Sequence, residues 1–348
     1  METIRLFDID GVLIEDNAYS ICIVDTVNHL LGENDIDIKG IISRLNTKMY
    51  DVWDQTCIIS AFALERKLDL IDDLLENGKN LDKSPFPSAI DILNPSEEVA
   101  KEYLSNHKKI KNKAVSLFQQ RLLGEKMFKK VYGEGIDIEI LRDLPLLKEK
   151  DVPLISKESV NRLARKGSLV CVYTARPGLP PDGENEFGYS PEAEIAKDMV
   201  GMPQYPLVSF GSMEWLQAKR KVKNICDLVK PESPQLMAAI FAAFGNEIKK
   251  SLIYSYSVCN KKGDVPLNIP SNITVYIFED SPGGLKPIDK ISKILSVRSI
   301  DAKFIPIGIV AKGEESDKYR SLKEICGKNL FRDVNAALDY TFKDDSNN

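Results

Sequence analysis

Histidine is nearly missing from this chain: 348 residues contain two, His29 and His107. Both fall in segments with helical spacing, so a histidine-based triad and a histidine-rich metal centre are all but excluded. The six cysteines, Cys22, Cys57, Cys171, Cys226, Cys259 and Cys326, lie far apart and form no Cys-x-x-Cys pair. That argues against zinc or a disulfide framework and predicts free thiols in a reducing compartment. Apolar runs are short; Leu236 to Phe244 falls far below the roughly 20 residues of a membrane helix. Positive charge is not in excess, since the formal net charge is −5, and nucleic acid is not expected as a partner. A core strand starts near residue 3 and leaves no room for an export signal. There is no repeat and no low-complexity tract. These absences predict a soluble, cytoplasmic protein with neither a membrane nor a nucleic-acid partner.

Apolar residues make up 43% and charged residues 28% of the chain, the proportions of an ordinary globule. Its length exceeds one usual core and predicts two domains, or one domain with a large insertion. The stretch around which the rest is organised is Ile4-Arg5-Leu6-Phe7-Asp8-Ile9-Asp10-Gly11-Val12-Leu13. A mostly apolar run entering two carboxylates at i and i+2 is a buried parallel strand that delivers acids to its carboxyl end, where open α/β sheets bind ligands. Carboxylates at i and i+2 converge only where a strand has ended. Gly11 lets the backbone turn away and leaves N–H groups for an anion.

Helical spacing runs from Asn17 to Gly32 and recurs at 41–45, 52–64 and 68–75. Residues 79 to 96 carry Pro85, Pro87 and Pro95 and read as a loop. A long helix is expected from Ser96, with Gly133 and Gly135 as its stop. Within 101 to 130, Lys101, Lys108, Lys109, Lys111, Lys113, Arg121, Lys126, Lys129 and Lys130 oppose only Glu102 and Glu125. This is a solvated face or a cationic wall that draws in anions. The insertion thus spans 17–148 and is nearly all helix, while 1–16 and 149–348 form the core. In the core, Leu169 to Tyr173 and Ile273 to Phe278 are apolar enough for buried parallel strands. Weaker strands are expected at 206–210 and 304–310, and the polar tail from Lys343 is expected to fray.

Three of these strands end in chemistry: Asp8 and Asp10, then Thr174, then Glu279 and Asp280. Phe7-Asp-Ile-Asp-Gly-Val-Leu13, Thr174-Ala175-Arg176, Lys230-Pro-Glu-Ser-Pro234 and Phe278-Glu-Asp-Ser-Pro-Gly-Gly284, in that order, resemble the four motifs of the haloacid dehalogenase-like superfamily. The nearest likeness is to its phosphoglycolate phosphatase and β-phosphoglucomutase branch. The resemblance covers about 1–16 and 150–340. It implies a Rossmann-like parallel core with an inserted all-helical cap, and Mg²⁺-dependent hydrolysis of a small phosphorylated metabolite. Asp8 would be the nucleophile that forms an aspartyl-phosphate, and Asp10 the acid and base. Thr174 would donate to a phosphate oxygen, and Lys230 would offset the crowded negative charge. Asp8, the Asp10 carbonyl, Asp280 and Glu279 would hold the metal. Gly11 and Ala175 would bind phosphate, and Arg176 would do the same or close an ion pair. Lys219, Arg220 and Lys221 are rivals for the Lys230 role.

Two stretches depart from compact relatives, 178–225 and 251–272, and either is a candidate for a homodimer contact or a substrate lid. Tyr50-Asp-Val-Trp-Asp54 resembles a stretch of one subgroup, with Trp53 as helix core or as a substrate-facing residue. Two other readings stay open: a phosphosugar mutase on the same residues, and a non-catalytic interaction protein.

Overall fold

Residues 2–32, 37–49, 51–81, 84–105, 110–133, 137–182, 189–310 and 317–347 are described by a computed structural model. Among these residues the strands are β1 (Glu2–Phe7), β2 (Ile14–Glu15), β3 (Val152–Pro153), β4 (Leu169–Tyr173), β5 (Leu207–Val208), β6 (Asn272–Glu279), β7 (Asp301–Ile309) and β8 (Leu330–Phe331). Six form one sheet in the order β5-β4-β1-β6-β7-β8, and every pairing in it is parallel. The apolar run of β1 explains its central place. A strand flanked on both sides and covered on both faces has no polar side to show, and Ile4, Leu6 and Phe7 are fully buried.

Alternation sorts the side chains into two cores. Ile4, Leu6, Cys171, Tyr173, Val275 and Ile277 pack on one face against the helix Ser233–Ala243. Phe7, Val170, Val172, Tyr276 and Phe278 pack on the other with the helix that starts at Val334. Phe7 and Phe278 stack with ring centroids 4.3 Å apart, a pair worth about 0.5 to 1.5 kcal/mol beyond its buried area.

The chain divides into two units: Met1–Asp16, Val152–Glu184 and Pro191–Asn348 hold the sheet, and Asn17–Asp151 with Asn185–Ser190 form the other. Among the described residues the second unit contains helices and no strand. The passage between units falls at Asp151 rather than 148. The Asp151 carboxylate accepts the N–H groups of Asn17 and Ala18 at 3.0 and 2.9 Å, so it caps the helix Ala18–Leu31 from the far end of the insertion. In the sheet unit, β2 and β3 pair antiparallel across the two chain passages.

Several local expectations are corrected. The 79–96 loop contains the helix Phe86–Leu93, because a proline in the first helical turn gives up an N–H that has no partner anyway. The long helix from Ser96 is two helices, Glu97–Tyr103 and Lys113–Tyr132, the second kinked at Gly124 with φ 71°. Arg121 on it is buried, while Lys101, Lys111, Lys113, Lys126 and Lys130 are exposed. The stretch 251–272 begins within the helix Ile248–Cys259, whose Leu252 and Val258 belong to the sheet core. The polar tail does not fray, since the last helix runs Val334–Asn347. Asp51 caps the helix Val52–Leu64, and Trp53 and Asp54 are buried in it. All six cysteines are free thiols. Tyr50, His107, Lys108, Lys109, Gly135 and residues 183–188 lie outside the described residues. Among the described residues no helix is long and apolar enough to cross a membrane.

Candidate active site

Register decides what meets what at the carboxyl edge of the sheet. Phe7 is paired with Val172 on one side and with Phe278 on the other. The next residue of each strand line is Asp8, Tyr173 and Glu279, and the Asp8 N–H donates to the Phe278 carbonyl at 3.0 Å. Alternation sends these three side chains to one face. There Lys230 reaches them from the turn before the helix Ser233–Ala243. Its Nζ lies 3.1 Å from Asp8 Oδ1 and 2.7 Å from Glu279 Oε1.

Lys230 is held at its backbone as well. Gln235, one turn into the helix, accepts the Lys230 N–H at 3.1 Å and donates to the Thr174 carbonyl at 2.8 Å. This amide ties the lysine turn to the end of β4, a link that spacing along the chain does not reveal. Lys219, Arg220 and Lys221, by contrast, are exposed around the end of the helix Phe210–Arg220.

Asp8 Oδ1 also accepts the Ile9 N–H at 2.8 Å. Asp10 points elsewhere: its Oδ1 takes Nε and an amino nitrogen of Arg176, each at 2.6 Å. Of the two roles open to Arg176, the structure places it in an ion pair. Thr174 is buried at the end of β4, and its hydroxyl oxygen accepts the Arg176 N–H at 3.1 Å. Ala175 stands exposed between them. Asp280 pairs with Lys318, which the motif reading did not include.

One carboxylate oxygen each of Asp8, Glu279 and Asp280 lie within 4.8 Å of one another. The Asp10 carboxylate is outside this group. Glu279 is fully buried, and among the described residues its Oε2 has no hydrogen-bond partner while Oε1 takes both Lys230 and the Tyr173 hydroxyl. Two glycines make the crowding feasible. A Cβ on Gly11 would stand 2.2 Å from Asp280 Oδ2, and one on Gly284 would stand 1.8 Å from Glu279 Oε1. Gly11 also has φ +71°, which disfavours any side chain.

The electrostatics follow from burial. It pushes Asp10 up to about 7 despite the opposing Arg176, and Glu279 up to about 8 despite Lys230. Burial raises Asp280 too, with Lys318 opposing. For Lys230 burial works downward, but Asp8 and Glu279 outweigh it and hold the ammonium above its ordinary value. Among the described residues, Asp8, Asp10, Glu279 and Asp280 thus face Lys230, Arg176 and Lys318 as close cations. An oxygen donor set of three carboxylates, one with an unpartnered buried oxygen, fits a hard divalent cation. No protein-family model matches this sequence, and no curated protein matches it either, so the reading of the site stands on these residues and their geometry.

Proposed function

We propose that this chain is a Mg²⁺-dependent phosphatase that hydrolyses a small phosphate monoester through an aspartyl-phosphate at Asp8, on a core of the haloacid dehalogenase-like kind. The observation that carries the reading is the convergence of Lys230 on Asp8 and Glu279, which share one row of the sheet, with Asp10 two residues beyond Asp8. Asp8 Oδ1 is occupied by the Ile9 N–H and Lys230, which orients the carboxylate and leaves Oδ2 to attack phosphorus. As the bond from phosphorus to the ester oxygen breaks, Asp10 gives that oxygen its proton. A carboxyl raised to about 7 is protonated in roughly half of the molecules at neutral pH, so it can both give and take a proton there. Asp10 then deprotonates the water that attacks the aspartyl-phosphate, releasing inorganic phosphate and restoring Asp8.

Lys230 offsets the negative charge that a phosphoryl group adds beside Asp8 and Glu279. The Thr174 hydroxyl would donate to a phosphoryl oxygen; the Gly11 N–H, expected to face an anion, instead donates to the Ile14 carbonyl at 2.8 Å, and Gly11 serves the site by the room it leaves for Asp280. Asp8, Glu279 and Asp280 would hold Mg²⁺, which would neutralise phosphoryl oxygens and bring the phosphorus within reach of a carboxylate. On this reading the helical unit is a cap, supported by its insertion directly after the Asp10 loop.

The test is phosphate release from a panel of phosphorylated metabolites with and without Mg²⁺. Release that needs Mg²⁺ and is lost in Asp8→Asn is expected. Isomer formation without release would favour a phosphosugar mutase. No turnover and no Mg²⁺ binding would favour a non-catalytic interaction protein.

A further inference from the structure

Tyr173 is one of the largest fully buried side chains in the molecule, yet its polar end is not spent on the core. The hydroxyl donates to Glu279 Oε1 across the end of β1. The ring lies under the Lys230 ammonium, with Nζ 4.0 Å from the centroid. One side chain therefore touches both groups that flank Asp8.

We propose that Tyr173 is a positioning residue of the metal site, which fixes the Glu279 carboxylate so that Oε2 is presented to the cation held with Asp8 and Asp280. The inference rests on the metal reading of the proposed function. A carboxylate at the end of a two-carbon stem rotates about its last bond unless one oxygen is tied. Here Oε1 is tied twice, by the phenol and by Lys230, and Oε2 is left buried without a hydrogen bond. Lys230 by itself is a poor tie because Asp8 shares it at 3.1 Å. Among the described residues the phenol donates to Glu279 and to no other acceptor. The ring adds a second restraint, since its negative face holds the ammonium between the two carboxylates.

Groups that hydrogen-bond a ligating carboxylate are worth about 10- to 100-fold in metal affinity. Tyr173→Phe keeps the ring under Lys230 and removes only the donor. Calorimetric titration of the full chain with Mg²⁺ is expected to show affinity weakened about tenfold or more in Tyr173→Phe. Circular dichroism should show the fold intact. At saturating Mg²⁺, the KM for a hydrolysed ester should return to the wild-type value. In a Glu279→Gln background the same substitution should change Mg²⁺ affinity by no more than about twofold, because the group on which it acts is gone.

A tyrosine that merely fills the core would lower the Tm and leave Mg²⁺ affinity unmoved. Equal affinity of wild type and Tyr173→Phe overturns this inference and leaves the phosphatase reading standing. Wild-type protein that binds no Mg²⁺ overturns the metal reading and this inference with it.

Discussion

Replacing Asp345 by Ala in the tail should destabilise the sheet at its centre. The reason is Arg5, a charged residue in the middle of β1 whose side chain is 3% exposed. Its guanidinium pairs with Asp345, donates to Thr341 at 3.1 Å, and lies 5.4 and 4.4 Å from the Tyr276 and Phe342 ring centroids. Removing one partner of a buried ion pair costs about 3–5 kcal/mol, because the other charge is left without compensation. Asp345 is 28% exposed, and the Thr341 and aromatic contacts survive, so roughly 2–3 kcal/mol is expected for Asp345→Ala. At about 2–4 °C per kcal/mol for a domain of this size, Tm should fall by about 5–10 °C. Ending the chain after Phe342 also removes Asp344, which accepts the Tyr276 hydroxyl at 2.6 Å, and should cost about 1–2 kcal/mol more. The assay is thermal unfolding by circular dichroism for Asp345→Ala, Arg5→Met and the double variant. The double variant should recover much of the loss, since an apolar pair carries no unpaired charge. A loss below about 0.5 kcal/mol for Asp345→Ala, or strictly additive losses, would refute the reasoning.

Other outcomes follow from the site and its surroundings. Asp8→Asn should keep the fold and lose phosphate release altogether; a variant with more than about a tenth of wild-type turnover would remove Asp8 from the nucleophile role. Gly284→Ala places a methyl 1.8 Å from Glu279 Oε1, and should cost about 1–3 kcal/mol in urea unfolding and displace that carboxylate. The contrary result is wild-type stability with wild-type Mg²⁺ binding. Burial raises Glu194 from 4.5 to about 7; its Oε1 accepts the Leu179 N–H at 3.0 Å while Oε2 is buried and unpartnered. Between those values the folded protein keeps a proton that the unfolded chain releases. Stability should therefore fall as pH rises through the window and level off above it. Glu194→Gln has no proton to lose and should be more stable than wild type by up to about 3 kcal/mol at pH 8, with the gain vanishing near pH 4.5. A gain that is the same at both pH values would show that burial of the charge is not the cause.

The order of chemistry along the chain was legible from residue types alone. An apolar run ending in Asp8 and Asp10 and another ending in Glu279 and Asp280 mark buried parallel strands, because only such strands are covered on both faces. Strand β4 is legible on the same ground, with Thr174 at its end. The helical character of the insertion was likewise written in its spacing. Prolines misled where position mattered more than presence: Pro87 opens a helix that its neighbours suggested was a loop. The tail misled because its composition is that of a disordered segment, and what orders it is a buried arginine some 340 positions earlier in the chain. Tyr173, Gln235 and Lys318 could not be found in advance. Tyr173 reads as one more apolar strand residue, Gln235 as a helix residue and Lys318 as a surface lysine. What sets Asp8, Tyr173 and Glu279 in one row is the register among three strands distant in sequence, and what brings Lys230 to them is a helix packed on that face. A strand's own alternation specifies which side chains share a face, but not its offset from a neighbour, and a shift of one residue would send both acids and the tyrosine to other partners. Only the packed sheet decides that offset.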